Sequence, residues 1–156
     1  MTTGLVLFYA FLMGGVCGLR SMTAPAVVAW GARLGWLHGE GGLLGFFAHT
    51  ITLVIFSLFA VGELVADKFS FIPGRTQPGP LGVRLIFGAA CAAALCLAGG
   101  ASVAAGVFLG ALGALAGAFA GYTYRTRLGE KVPDLALALL EDLIAVGGGF
   151  LIVSRF

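Results

Sequence analysis

Residues 18–25 read GLRSMTAP and sit in the middle of an apolar run covering about residues 4–32. Gly18, Arg20 and Pro25 all oppose a plain membrane-crossing helix at this point. A guanidinium in hydrocarbon is costly. Proline also removes a backbone donor and biases the residue before it away from helix. Two chain paths satisfy the stretch. Residues 4–32 can cross once as a broken helix, or fold back at GLRSMTAP as a re-entrant hairpin. Non-helical backbone at that depth is tolerated only where protein buries it or water reaches it. Either way, Arg20 requires carboxylates nearby.

Outward from this stretch the chain is equally apolar. Of 156 residues, 60% are hydrophobic and 10% are charged, where a soluble domain carries about 25% charged residues. Four further apolar segments are read at about 46–66, 82–98, 101–123 and 134–153. Most approach the ~20 residues that cross a hydrocarbon core of ~30 Å. The expected fold is an all-α integral membrane protein, a bundle of about five segments forming a single domain over residues 1–156. A net charge of +2 and the lack of a basic run give no reason to expect nucleic acid. Met1-Thr2-Thr3 holds no Lys or Arg, so targeting is expected from the first segment rather than from a cleaved signal.

The turns are punctuated by IPGRTQPGP, AGGAS and YRTRLGEKVPD. Six cations (Lys68, Arg75, Arg84, Arg125, Arg127 and Lys131) fall at one side of the resulting bundle, against Arg33 and Arg155 at the other. The positive-inside rule then places loops 67–84 and 124–133 in the cytoplasm and the C-terminus outside. The location expected is a bacterial inner membrane, crossed several times. The lipid bilayer is the first partner.

The charges inside the apolar segments carry the functional reading. Glu63 and Asp67 are four apart and share a helix face. Glu141 and Asp142 interrupt LALALLEDLIAV, with Glu141 about 10 Å along its helix when that begins at Asp134. Intramembrane ionisable groups mark substrate or ion paths by default. Ser21 and Thr23 add hydroxyls at the break, and Arg75 and Thr76 a polar PGRT loop. These nine residues (Arg20, Ser21, Thr23, Glu63, Asp67, Arg75, Thr76, Glu141 and Asp142) form the candidate site. Arg20 would attract an anionic group, and Glu141 is the expected proton carrier.

Other motifs are quieter. Cys17, Cys91 and Cys96 lie in apolar segments without metal-ligand spacing and read as small core residues. No cofactor-binding, nucleophile or phosphate-loop motif is present. Gly106, Gly110, Gly113, Gly117 and Gly121 line one face of the fourth segment. Such a face allows close helix approach, either inside the bundle or in a homo-oligomer.

The motifs GLRSMTAP, ELVADK, GRT and LLED together resemble a family of small bacterial integral membrane proteins known as a domain of unknown function. The resemblance covers about residues 12–150. It implies that the four polar motifs work as one unit in a bacterial inner membrane, and it implies no activity.

Three function classes follow. The leading expectation is a small transporter or channel for an anionic solute, with proton coupling through Glu141, using a broken helix beside buried charge. The second is an enzyme or lipid-handling protein acting on phosphorylated headgroups, with carboxylates on Mg²⁺ and Arg75 or Arg84 on phosphate. The third is a structural or assembly protein whose charges pair only to pack helices.

Overall fold

The computed structural model describes residues 1–39, 41–66, 77–128 and 133–156. Among them the chain is entirely helical: α1 Thr3–Leu19, α2 Thr23–Arg33, α3 Gly42–Ala48, α4 Thr50–Ala66, α5 Pro78–Ala98, α6 Val103–Leu128 and α7 Asp134–Val153. Three helices (Pro78–Ala98, Val103–Arg127 and Leu135–Val153) are long and apolar enough to cross a membrane. A fourth crossing arises when α3 and α4, bent by 65° at their junction, are taken together. α4 leaves Ile51, Val54, Ile55, Leu58 and Phe59 exposed, a contiguous apolar face that a soluble monomer rarely shows. The architecture fits an all-α membrane protein.

Five apolar segments become seven helices because two of them break. The first breaks at Arg20-Ser21-Met22, where Arg20 is extended at φ −139°, ψ 109°. The second breaks at His49, also extended at φ −68°, ψ 133°. There the His49 imidazole Nδ1 accepts the Ile51 N–H at 3.4 Å, taking up a donor that the new helix start leaves over.

The path of the first segment follows from its neighbours. Val6 and Phe156 both lie against Gly99, and the Tyr9 and Phe156 rings stand 6.1 Å apart. The start of α1 is therefore beside the end of α7. Gly31, near the end of α2, lies against Val153, so that helix also finishes at the end of α7. Both ends of the α1–α2 unit are at one end of the bundle, and GLRSMTAP is the tip of a hairpin. Seventeen residues of α1 rise about 25 Å, so the tip lies deep.

The two arms do not pack chiefly on each other. α1 lies between α5 and α6, whereas α2 packs on α3, α4 and α7. Glycine makes the first of these contacts. A side chain at Gly14 would strike the Gly110 backbone, and one at Gly113 or Gly117 would strike the backbone of Phe11 or Gly15. Gly106 and Gly110 meet α5 at Ala92, Cys96 and Gly88. Four of the five glycines read as a possible subunit face are thus filled from within the chain. An oligomer contact at those four positions would require α6 to part from α1 and α5.

Candidate functional site

A helix that stops inside a bundle leaves orphan carbonyls, and one that starts there leaves orphan amides. The hairpin tip has both, a few residues apart. At the end of α1, Arg84 of α5 donates from Nη1 to the Gly18 carbonyl at 3.0 Å. At the start of α2, Glu63 of α4 takes the amides. Its Oε1 accepts the Ser21 N–H at 2.9 Å and the Ser21 O–H at 2.6 Å, and its Oε2 accepts the Met22 N–H at 2.8 Å. The signs match the helix dipoles: a cation at the negative end of α1 and an anion at the positive end of α2. The Cys17 thiol reaches the carbonyls of Ser21 and Arg84 at 3.3 and 3.4 Å, which knits the tip to α5.

Arg20 is 1% exposed and forms an ion pair with Asp142 of α7, Nη2 to Oδ1. One residue earlier on α7, Glu141 (3% exposed) pairs with Arg125 of α6. Its Oε2 accepts from Arg125 Nε at 3.0 Å and lies 2.9 Å from Nη2. Consecutive residues on a helix point about 100° apart, so α7 uses Asp142 toward the hairpin and Glu141 toward α6. α6 and α7 otherwise touch little. The second ion pair ties two helices that packing leaves apart.

Of the nine expected site residues, the structure brings Arg20, Ser21, Glu63 and Asp142 together at the tip. Glu141 is near and pairs with Arg125, so the carboxylate of α7 that meets Arg20 is Asp142. Thr23 opens α2 and is 2% exposed; its Oγ1 has no hydrogen-bond partner among the described residues. Asp67, Arg75 and Thr76 lie outside the described residues.

Arg84 was expected as a loop cation and is instead a buried member of the site, 7% exposed. The reason is that α5 begins at Pro78, with proline in the first-turn position that suits it. Arg84 is therefore in the second turn of the helix. The signal available in the sequence was PGPLGVR running straight into an apolar stretch. Arg125 is likewise inside α6, because that helix runs 26 residues to Leu128.

Chemically, the tip is a cradle for a carboxylate-sized anion, formed by two amides and a hydroxyl at a helix start. It is presently filled by a side chain of the same protein. Among the described residues no group of three His, Cys, Asp or Glu side chains is placed to hold a metal ion. In comparisons of the chain with protein-family models, with curated proteins and with solved structures, nothing matched.

Proposed function

We propose that the protein is a small membrane transporter that moves an anion together with a proton, with its site at the hairpin tip. The observation that carries this reading is the Glu63 carboxylate held by Ser21 N–H, Ser21 O–H and Met22 N–H. A tethered anion in a helix-start cradle can be exchanged for a free one. When Glu63 takes up a proton it loses its charge and its strongest claim on the amides. A monoanion then takes the three donors, and the charge at the tip is unchanged. Loss of the proton returns Glu63 to the cradle and expels the anion. One proton moves with one negative charge, so the cycle is electroneutral. Buried Arg20 and Arg84 keep the surroundings hospitable to negative charge. Glu63 replaces Glu141 as the proton carrier, because Glu141 is held by Arg125.

The setting that accompanies this reading is a bacterial inner membrane. With Arg84 and Arg125 counted as site residues, Lys68, Arg75, Arg127 and Lys131 against Arg33 and Arg155 still support a cytoplasmic position for the α4–α5 and α6–α7 connections.

The test is uptake into proteoliposomes of acetate, inorganic phosphate and sulfate, with and without an inward proton gradient. At least one anion is expected to enter faster under the gradient. Glu63→Gln, which cannot gain or lose the proton, is expected to remove that acceleration while the protein stays folded. Equal gradient dependence in wild type and Glu63→Gln would sink the coupling role.

One observation favours the packing reading as an alternative. Arg20, Arg84 and Arg125 balance Glu63, Glu141 and Asp142, three against three among the described residues. Under that reading no anion crosses at all, and the double replacement Arg20→Gln/Asp142→Asn leaves every property of the protein intact.

A further inference from the structure

Beside the cradle runs a cleft of about 200 Å³ between α2, α4 and α7, lined among others by Thr23, Trp30, Ser57, Ala60, Leu64 and Phe150. Its walls are almost wholly apolar. At its deep end Thr23 follows Ser21 and Met22 directly, while Ala60 and Leu64 flank Glu63 on α4. The cleft and the cradle therefore share their neighbours. Farther along, Trp30 Nε1 donates to Ser57 Oγ at 3.2 Å, and Trp30 is 40% exposed. Val61, also on the rim of the cleft, is exposed, so the cleft opens onto an apolar surface of the bundle.

A buried hydroxyl is nearly always hydrogen-bonded. Thr23 Oγ1 is buried and lacks a partner among the described residues, and Thr23 lines the cleft. A hydrophilic ion has no use for apolar walls, and an uncharged hydrocarbon has no use for the cradle. The ligand already in the cradle is itself a carboxylate on a methylene stem. From the cleft, the hydroxyl and this occupant, we infer that the substrate is a long-chain alkanoate drawn from the bilayer. Its carboxylate replaces that of Glu63, its chain lies in the α2–α4–α7 cleft, and Thr23 donates its hydroxyl hydrogen to a carboxylate oxygen. The inference rests on the anion-exchange reading of the tip and names the substrate class for it.

Trp30 supplies the readout. In Trp36→Phe protein it is the sole tryptophan of a chain that has two. In nanodiscs of zwitterionic lipid, dodecanoate brominated along its chain is titrated in and Trp30 quenching recorded. Non-brominated dodecanoate and acetate serve as competitors. Saturable quenching is expected, reversed by dodecanoate at a concentration at least roughly tenfold below that needed for acetate, since each buried methylene adds to affinity. Ala60→Phe, which fills the cleft, is expected to abolish saturable quenching. Thr23→Val, nearly the same size without the hydroxyl, is expected to weaken it about tenfold, as loss of one hydrogen bond to a charged group does. Thermal unfolding identifies any variant that fails to fold, and Thr23→Val carries the test where Ala60→Phe does not survive.

Competition by acetate as strong as by dodecanoate would overturn the chain-binding inference and leave the anion cradle standing. Unchanged affinity in Thr23→Val would remove Thr23 from the site and overturn the inference as stated. Radiolabelled acetate and dodecanoate are also followed by equilibrium dialysis. Binding of neither would overturn both the inference and the anion-exchange reading beneath it.

Discussion

The two halves of this bundle solve the same packing problem in opposite ways. Where α1 meets α5 and α6, glycines let backbones touch, and the polar contacts of Arg84 and Cys17 gather at the hairpin tip. Gly14 lies on Gly110, Gly18 on Ala114, and Gly88 on Gly110. Where α2 meets α3, α4 and α7, the contacts are made by large side chains and charges. A cleft remains open beside Thr23, carboxylates of α4 and α7 reach into the hairpin tip, and Phe46 and Phe47 of α3, Phe56 of α4 and Phe87 of α5 form a chain of rings 5.6–6.3 Å apart that ties α3 and α4 to α5. Lipid tails give helices no hydrophobic reason to associate, so shape and polar contacts must hold them. The glycine half uses shape and forms a rigid wall. The other half uses polar contacts and leaves room for a ligand. The hairpin belongs to both, with one arm in each.

Breaking the polar half should cost most. Arg20→Ala leaves the part-buried Asp142 charged and without the Arg20 cation, a loss of about 3 kcal/mol, the lower end of what breaking a buried pair costs. Unfolding in mild detergent measures it, and the double variant Arg20→Gln/Asp142→Asn should recover a large part. A loss no greater than that of a surface arginine would contradict the buried pair. In the glycine half, Gly113→Ala pushes a methyl into the backbone of α1 and should cost about 1–3 kcal/mol by overpacking. Wild-type stability for that variant would mean the helices are not in backbone contact. The smallest effect sharpens the contrast. Gly62 in α4 has nothing within 4 Å of where a side chain would begin, so Gly62→Ala should gain about 0.5–1 kcal/mol of helix stability. A marked loss there would reveal a contact that this face of α4 does not make within one chain.

Much of this contrast was legible in the sequence, and its gaps have physical causes. Pro and Gly marked the ends of α5 and the turn into α6, and GLRSMTAP marked the hairpin tip. The requirement that Arg20 meet a carboxylate followed from burial cost alone. Which carboxylate it meets did not follow, because Glu141 and Asp142 are adjacent and the rotation of α7 decides between them. That rotation is set by helix packing rather than by local sequence. Hairpin and single span have the same apolar run, and only the partners of Val6 and Gly31 separate them. Glycines at spacings of three and four suit an internal contact and a subunit contact equally. The bend at His49 carries neither proline nor glycine, so nothing in its composition announced it. Glu63 stands in the sequence as one of nine candidate residues, with only Asp67 on its helix face to suggest a neighbour. Its capture of the α2 amides depends on α4 lying beside the tip, a long-range placement that pattern alone does not supply.

The most direct test of the account is the sidedness of the two chain ends. Short epitope tags placed before Met1 and after Phe156 are probed with protease in intact spheroplasts and in lysed ones. The hairpin predicts that both tags lie on the same face of the membrane, with a third tag in the segment 67–76 on the opposite face. Tags at Met1 and Phe156 on opposite faces would make residues 4–32 a single crossing. Arg20 would then no longer sit at a hairpin tip, and the anion cradle would go with it.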